Sequence, residues 1–147
     1  MIQRIQTVYL LISILLLGLL FWLPLADITS GTDIYQFTIK GITKGEEQLF
    51  SGLPFMVFLM IIIALHLAVV FMYKNRIRQI RILVFSMVLL LGLFGVFFYF
   101  TYAGFDGARA SFRIPVAFPL IAMILDYLAI RGIGKDEALI RSLNRIR

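Results

Sequence analysis

Four long apolar runs constrain this chain more than any other feature. They cover residues 5–25, 53–73, 82–102 and 114–130. A helix that crosses a bilayer needs about 20 mostly apolar residues. Backbone groups in lipid must pair internally, so each run predicts a helix. The runs are continuous, whereas a membrane β-barrel alternates in short segments. Composition agrees. Hydrophobic residues make up 61% of 147 residues, against about 45–50% in soluble chains. One small domain cannot hide that much apolar surface in a single core, so the excess faces lipid. An ordinary soluble enzyme, a disordered chain and a free nucleic-acid-binding domain are thereby excluded. The chain has no Cys, which excludes disulfides, Cys-ligated zinc, iron–sulfur clusters and a lipobox anchor. The expected fold is a single all-α membrane domain, a four-transmembrane-helix bundle spanning 1–147.

The first run is longer than the core of a signal peptide, and Pro24-Leu25-Ala26 makes a poor cleavage site. It reads as an uncleaved helix. Basic residues set the orientation. Arg4, Lys74, Arg76, Arg78, Arg81, Arg131, Lys135, Arg141, Arg145 and Arg147 fall on one side. Lys40, Lys44, Arg109 and Arg113 fall on the other. The bias places both termini on the inner side of the membrane. It also accounts for the formal charge of +6 without nucleic acid. The cations at the inner ends suit anionic inner-leaflet lipids. Trp22, Tyr73, Tyr99 and Tyr102 lie near the span ends, as interfacial belt residues do.

Outside the spans, loop 26–52 is the longest segment. Tyr35, Phe37 and Ile39 alternate with Gln36, Thr38 and Lys40, the period of a half-buried strand. Gln48-Leu49-Phe50 offers a return strand, so a small outer β-hairpin is expected, leaning on the loop between spans three and four or on a partner. It serves either as a lid or as a docking edge. In loop 103–113, Asp106, Arg109 and Arg113 suggest a weak local ion pair. Residues 74–81 predict a tight inner hairpin. After Gly132 and Gly134, the tail reads as a short amphipathic inner helix with Asp136 as its N-cap.

An ionisable residue inside a span is a functional hypothesis by default. Here there are two, His66 and Asp126, joined by Ser13 and Ser86. A rise of about 1.5 Å per residue puts all four in the inner half of the bilayer. Whether their faces converge is not readable from spacing. A His–Asp pair can hold and pass a proton near neutral pH, or it can be a satisfied interhelical network. No nucleophile, paired acids, metal-ligand spacing or phosphate-binding loop accompanies them, so no cofactor or metal is expected. Ala64 and Ala68, with Gly18, Gly92 and Gly95, suggest close helix approach. Pro115 falls in the first turn of span four, and Pro119 is expected to kink it.

The opening Ile2-Gln3-Arg4-Ile5-Gln6 and the closing Lys135-Asp136-Glu137 with Arg141-Ser142 resemble the ends of a family of small four-span inner-membrane proteins of Bacteroidota. It is catalogued as domain of unknown function 4293. The resemblance covers the whole chain and implies no catalytic residue. The function expected is a non-enzymatic accessory or scaffold subunit of a larger membrane complex, with a membrane-protein partner or a second copy. The alternative is a small transporter or proton-linked carrier using Asp126 and His66.

Overall fold

In the computed structural model, which describes residues 2–30, 32–45, 47–73, 75–103 and 109–144, each apolar run forms a helix. They are α1 (Ile2–Leu19), α2 (Leu53–Phe71), α3 (Arg76–Ala103) and α4 (Phe118–Asn144). Three segments are long and apolar enough to cross a membrane: Leu53–Phe71, Arg76–Tyr102 and Ile114–Ile140. The apolar part of α1, Ile5–Leu19, is shorter. Large apolar side chains stay exposed on every helix, among them Leu15, Met60, Val88 and Ile124. In water that surface would be a liability; in lipid it is the solvated face.

The chain is not all-α. Between α1 and α2 lie β1 (Ala26–Ser30), β2 (Asp33–Thr38), β3 (Gly41–Lys44) and β4 (Glu47–Ser51), and β5 (Arg109–Phe112) precedes α4. They form one five-stranded sheet in the order β4-β3-β2-β1-β5, antiparallel throughout. The expected hairpin is thus only part of a meander. Its outer strand does return at Gln48–Phe50, but beside β3 rather than β2. The reason is turn chemistry. Ser30 pairs with Asp33, Thr38 with Gly41, and Lys44 with Glu47. Each hairpin therefore closes over two residues, the tightest connection antiparallel strands allow.

The sheet caps one end of the bundle. Ala26, Ile28, Phe37 and Ile42 are buried on its inner face. Phe37 stacks on Phe97 at 5.0 Å between centroids and meets the edge of Phe55 at 5.5 Å. Such pairs add about 0.5–1.5 kcal/mol beyond area burial. β5 ties the α3–α4 connection to β1 through Ala26 opposite Phe112. Arg113 reaches out of its loop to the sheet. It grips Asp27 on β1 with two hydrogen bonds, Nε to Oδ2 at 2.7 Å and Nη2 to Oδ1 at 3.1 Å. Asp106 lies outside the described residues. Lys44 pairs with Asp33 at 2.7 Å, and that carboxylate holds the ammonium above its usual value. Both pairs are solvated, so Arg113→Ala should cost under about 1 kcal/mol. Thermal unfolding in low and high salt would check this.

Three further expectations are corrected. α3 starts at Arg76 rather than 82, so Arg76, Arg78 and Arg81 are helical residues and not a hairpin loop. α4 runs unbroken through Gly132 and Gly134 to Asn144, so the tail is not a separate amphipathic helix. Its packing on α1 overrides the two glycines, and Asp136 is a mid-helix residue instead of a cap. Pro119 is the second residue of α4, after a 3-10 turn at Ile114–Ala117. Proline costs little in a first turn, where its missing N–H has no helical acceptor.

Candidate functional site

One polar side chain from each helix reaches the bundle axis at the same level. They are Ser13 on α1, His66 on α2, Ser86 on α3 and Asp126 on α4, each 0% exposed. His66 Nε2 lies 2.9 Å from Asp126 Oδ1 and 3.1 Å from Oδ2. His66 Nδ1 lies 2.9 Å from the Ile62 carbonyl oxygen and 3.3 Å from Ser86 Oγ. Ser13 Oγ donates to Asp126 Oδ1 over a long 3.5 Å.

These contacts fix the proton count. A carbonyl oxygen only accepts, so Nδ1 carries a proton and donates it to Ile62. The short contact between Nε2 and the carboxyl then needs a second proton, on the ring or on the acid. Either way the pair carries no net charge, which suits a fully buried site. An unpaired ion there would cost several kcal/mol. Ser86 accepts a second, weaker branch from Nδ1–H.

Helical spacing builds apolar layers on both sides of this quartet. Four residues toward the sheet along each helix stand Leu17, Ile62, Leu90 and Ala122; three residues the other way stand Leu10, Val69, Leu83 and Ala129. All eight are buried, in two separate apolar clusters. Residues three or four apart share a helix face, so the quartet is a single polar layer between two greasy ones.

Beyond the second apolar layer the bundle turns polar again. Gln6 Nε2 donates to Asp136 Oδ2 at 2.9 Å, joining α1 to α4. Gln79 Nε2 donates to the Val69 carbonyl at 2.9 Å, joining α3 to α2. Gln6 passes so close to Gly132 that a Cβ there would meet Gln6 Cγ at 3.0 Å. Sequence reading missed this contact. Its signal was a glycine on the packed face of a helix. Of the small residues it did single out, Gly92 packs on α2, where a Cβ would lie 3.4 Å from Phe58 Cζ, while Gly18, Gly95 and Ala64 do less. Nothing lies within 4 Å of a Cβ built on Gly18 or Gly95, and Ala64 faces outward.

The basic residues gather at the end of the bundle opposite the sheet. Arg78 and Arg81 on α3, and Arg131 and Lys135 on α4, are exposed there, and Arg76 is half-buried. Arg4 and Arg141 lie on the backbone of α1 and α4 at that same end. Lys74 and Arg145 lie outside the described residues. Among the described residues, no three His, Cys, Asp or Glu side chains group as metal ligands do.

Long apolar helices, lipid-ready faces and a sealed polar layer define a membrane protein, an α-helical bundle capped by a β-sheet. Residues 2–146 match the family described as Domain of unknown function (DUF4293), and the chain belongs to that family. Among curated proteins, none matches it.

Proposed function

We propose that this is a non-enzymatic integral protein of the bacterial inner membrane, an accessory or scaffold subunit of a larger assembly. In this reading all four helices cross the bilayer and both termini are cytoplasmic. The 18 residues of α1 extend about 27 Å, and the apolar residues 20–25 lengthen that surface. The sheet then lies on the outer side.

The sealed polar quartet is the observation that supports this reading most. Each of its members is spent on another helix, and apolar layers close it above and below. Such a layer punishes any helix that slips by a turn, because His66 or Asp126 would then lose its partner in an apolar core. Fixing helix register is work for a scaffold. Two surfaces remain for partners: the edge strand β4, exposed at every residue, and the basic end of the bundle.

Purification of tagged protein from native membranes in mild detergent, with quantitative mass spectrometry, tests the reading. A stoichiometric partner is expected. Recovery of the chain alone would count against it. Deleting 139–147 leaves the Gln6–Asp136 bond in place and should release that partner while the helices still insert. An unchanged set of partners would remove the tail from the docking surface.

A second reading, a proton-linked carrier using Asp126 and His66, draws on one observation. A pocket reaches Leu10 and Ile133, one helical turn short of the quartet. In a carrier, the layer of Leu10, Val69, Leu83 and Ala129 would have to part.

A further inference from the structure

We propose that this pocket, at the end of the bundle that carries both termini, holds the phosphate headgroup of an anionic phospholipid. The inference rests on that end lying at a membrane surface, and not on the partner reading.

The pocket has a volume of about 320 Å³, the low end of what small-ligand sites offer. That is room for a headgroup and its glycerol rather than for acyl chains. Its lining is two-sided. Gln6, Thr7 and Gln79 give a polar wall, and Leu10, Val70 and Ile133 an apolar one. A lipid presents the same division at the headgroup boundary. Its chains would continue along the exposed apolar flanks of the helices.

Charge selects an anion. Arg76, Arg78, Arg81, Arg131 and Lys135 surround this end, and the sequence supplies only Asp136 and Glu137 against them. Asp136 is already held by Gln6. Arg76 adds a direct sign of a missing partner. Its Nη1 is buried with no hydrogen-bond partner among the described residues. A buried guanidinium nitrogen left without an acceptor is destabilising. Arg76 stands three residues before Gln79, on the same face of α3, one helical turn beyond the pocket lining. It also opens a 28-residue helix. Cations there have the wrong sign for the helix dipole. A phosphate between Arg76 and the first-turn amides satisfies guanidinium and dipole together. Basic pockets between membrane helices take anionic headgroups for these reasons.

The test uses the full-length protein in mild detergent, mixed with equal phosphatidylglycerol and phosphatidylcholine. Retained lipid is counted by native mass spectrometry at about 0.3 M salt, where loose surface attraction is screened. One phosphatidylglycerol per chain is expected, in preference to phosphatidylcholine. Arg76→Gln should lower its retention about tenfold, the scale of one charge-assisted hydrogen bond. Val70→Phe, which fills the pocket without changing charge, should do the same. Arg131→Gln, an equal loss of charge at an exposed position of α4, should change retention about twofold or less. Equal retention of the two lipids by wild-type protein would overturn the proposal. So would equal losses in Arg76→Gln and Arg131→Gln. Displacement of the lipid by inorganic phosphate at about 10 mM would assign the site to the free ion, and overturn the lipid assignment. Melting curves identify any variant that misfolds, and the wild-type lipid preference then decides alone. Lost lipid preference with the protein partner still captured would remove this inference and leave the scaffold reading standing.

Discussion

Asp126→Ala is expected to destabilise the bundle by about 3 kcal/mol, the low end for breaking a buried ion pair. The substitution leaves His66 Nε2 without the carboxyl now 2.9 Å away, in a layer with no exposure. The competing estimate is much smaller. Neutral interhelical hydrogen bonds in a membrane average about 0.6 kcal/mol, because the unfolded helices also find partners. A loss under about 1 kcal/mol would therefore show that the pair acts as an ordinary hydrogen bond. The double replacement His66→Leu with Asp126→Leu should recover most of the stability, since apolar side chains of similar volume replace buried pairs at little cost. Unfolding in detergent, run as a double-mutant cycle, gives the coupling directly. Ser13→Ala should cost under about 1 kcal/mol, because its hydrogen bond is long.

Gly41→Ala should detach the β3–β4 hairpin at a local cost of about 3 kcal/mol. Gly41 has φ +136°, a conformation that side chains rarely adopt and that costs about 1–3 kcal/mol in itself. A Cβ there would also overlap the Phe50 carbonyl oxygen and sit 2.9 Å from the Gly52 nitrogen. Neither neighbour is a side-chain tip that can swing away. Gly45 provides the control. Its φ is +61° and the space around it is open, so Gly45→Asn should be nearly neutral, Asn tolerating this region well. Limited trypsin digestion at Lys40 and Lys44 reads the difference. Rapid cleavage is expected in Gly41→Ala, with the melting of the helices unchanged. Equal resistance in the two variants would contradict the described pairing of β3 with β4.

The helices were legible because lipid demands long apolar runs, and a run of about 20 residues carries its own length signal. The sheet was half legible. Phe37 and Ile39 announced themselves by alternation, but β1 is Ala-Asp-Ile-Thr-Ser, with one large apolar residue, and β5 is four residues long. Their pairing is a tertiary fact, set by the Arg113–Asp27 contact and by Phe112 lying opposite Ala26. Gly45, between β3 and β4 with φ +61°, is a hairpin signal that the reading of alternation did not use. The tail misled for a related reason. Gly132 and Gly134 look like a helix stop, yet Gly132 is where Gln6 crosses α4.

The site was legible as four residues and illegible as one site. Depth along each helix can be counted from the nearest cation, and the count put Ser13, His66, Ser86 and Asp126 in the inner half of the bilayer. Rotation about each helix axis cannot be counted that way, because the lipid-facing and core-facing sides of α2 and α3 are equally apolar. The structure supplies the rotation and brings all four together. The pocket at the far end went unread because α3 was started too late, which left Arg76 and Gln79 in a loop.

In the proposed scaffold the polar quartet locks the helices together and conducts no proton. Purified protein reconstituted into liposomes with an imposed pH gradient tests it most directly. The gradient is expected to decay as in empty vesicles, for wild type and for Asp126→Asn alike. Faster decay with wild-type protein, abolished by Asp126→Asn, would contradict it and make the His66–Asp126 pair a proton path.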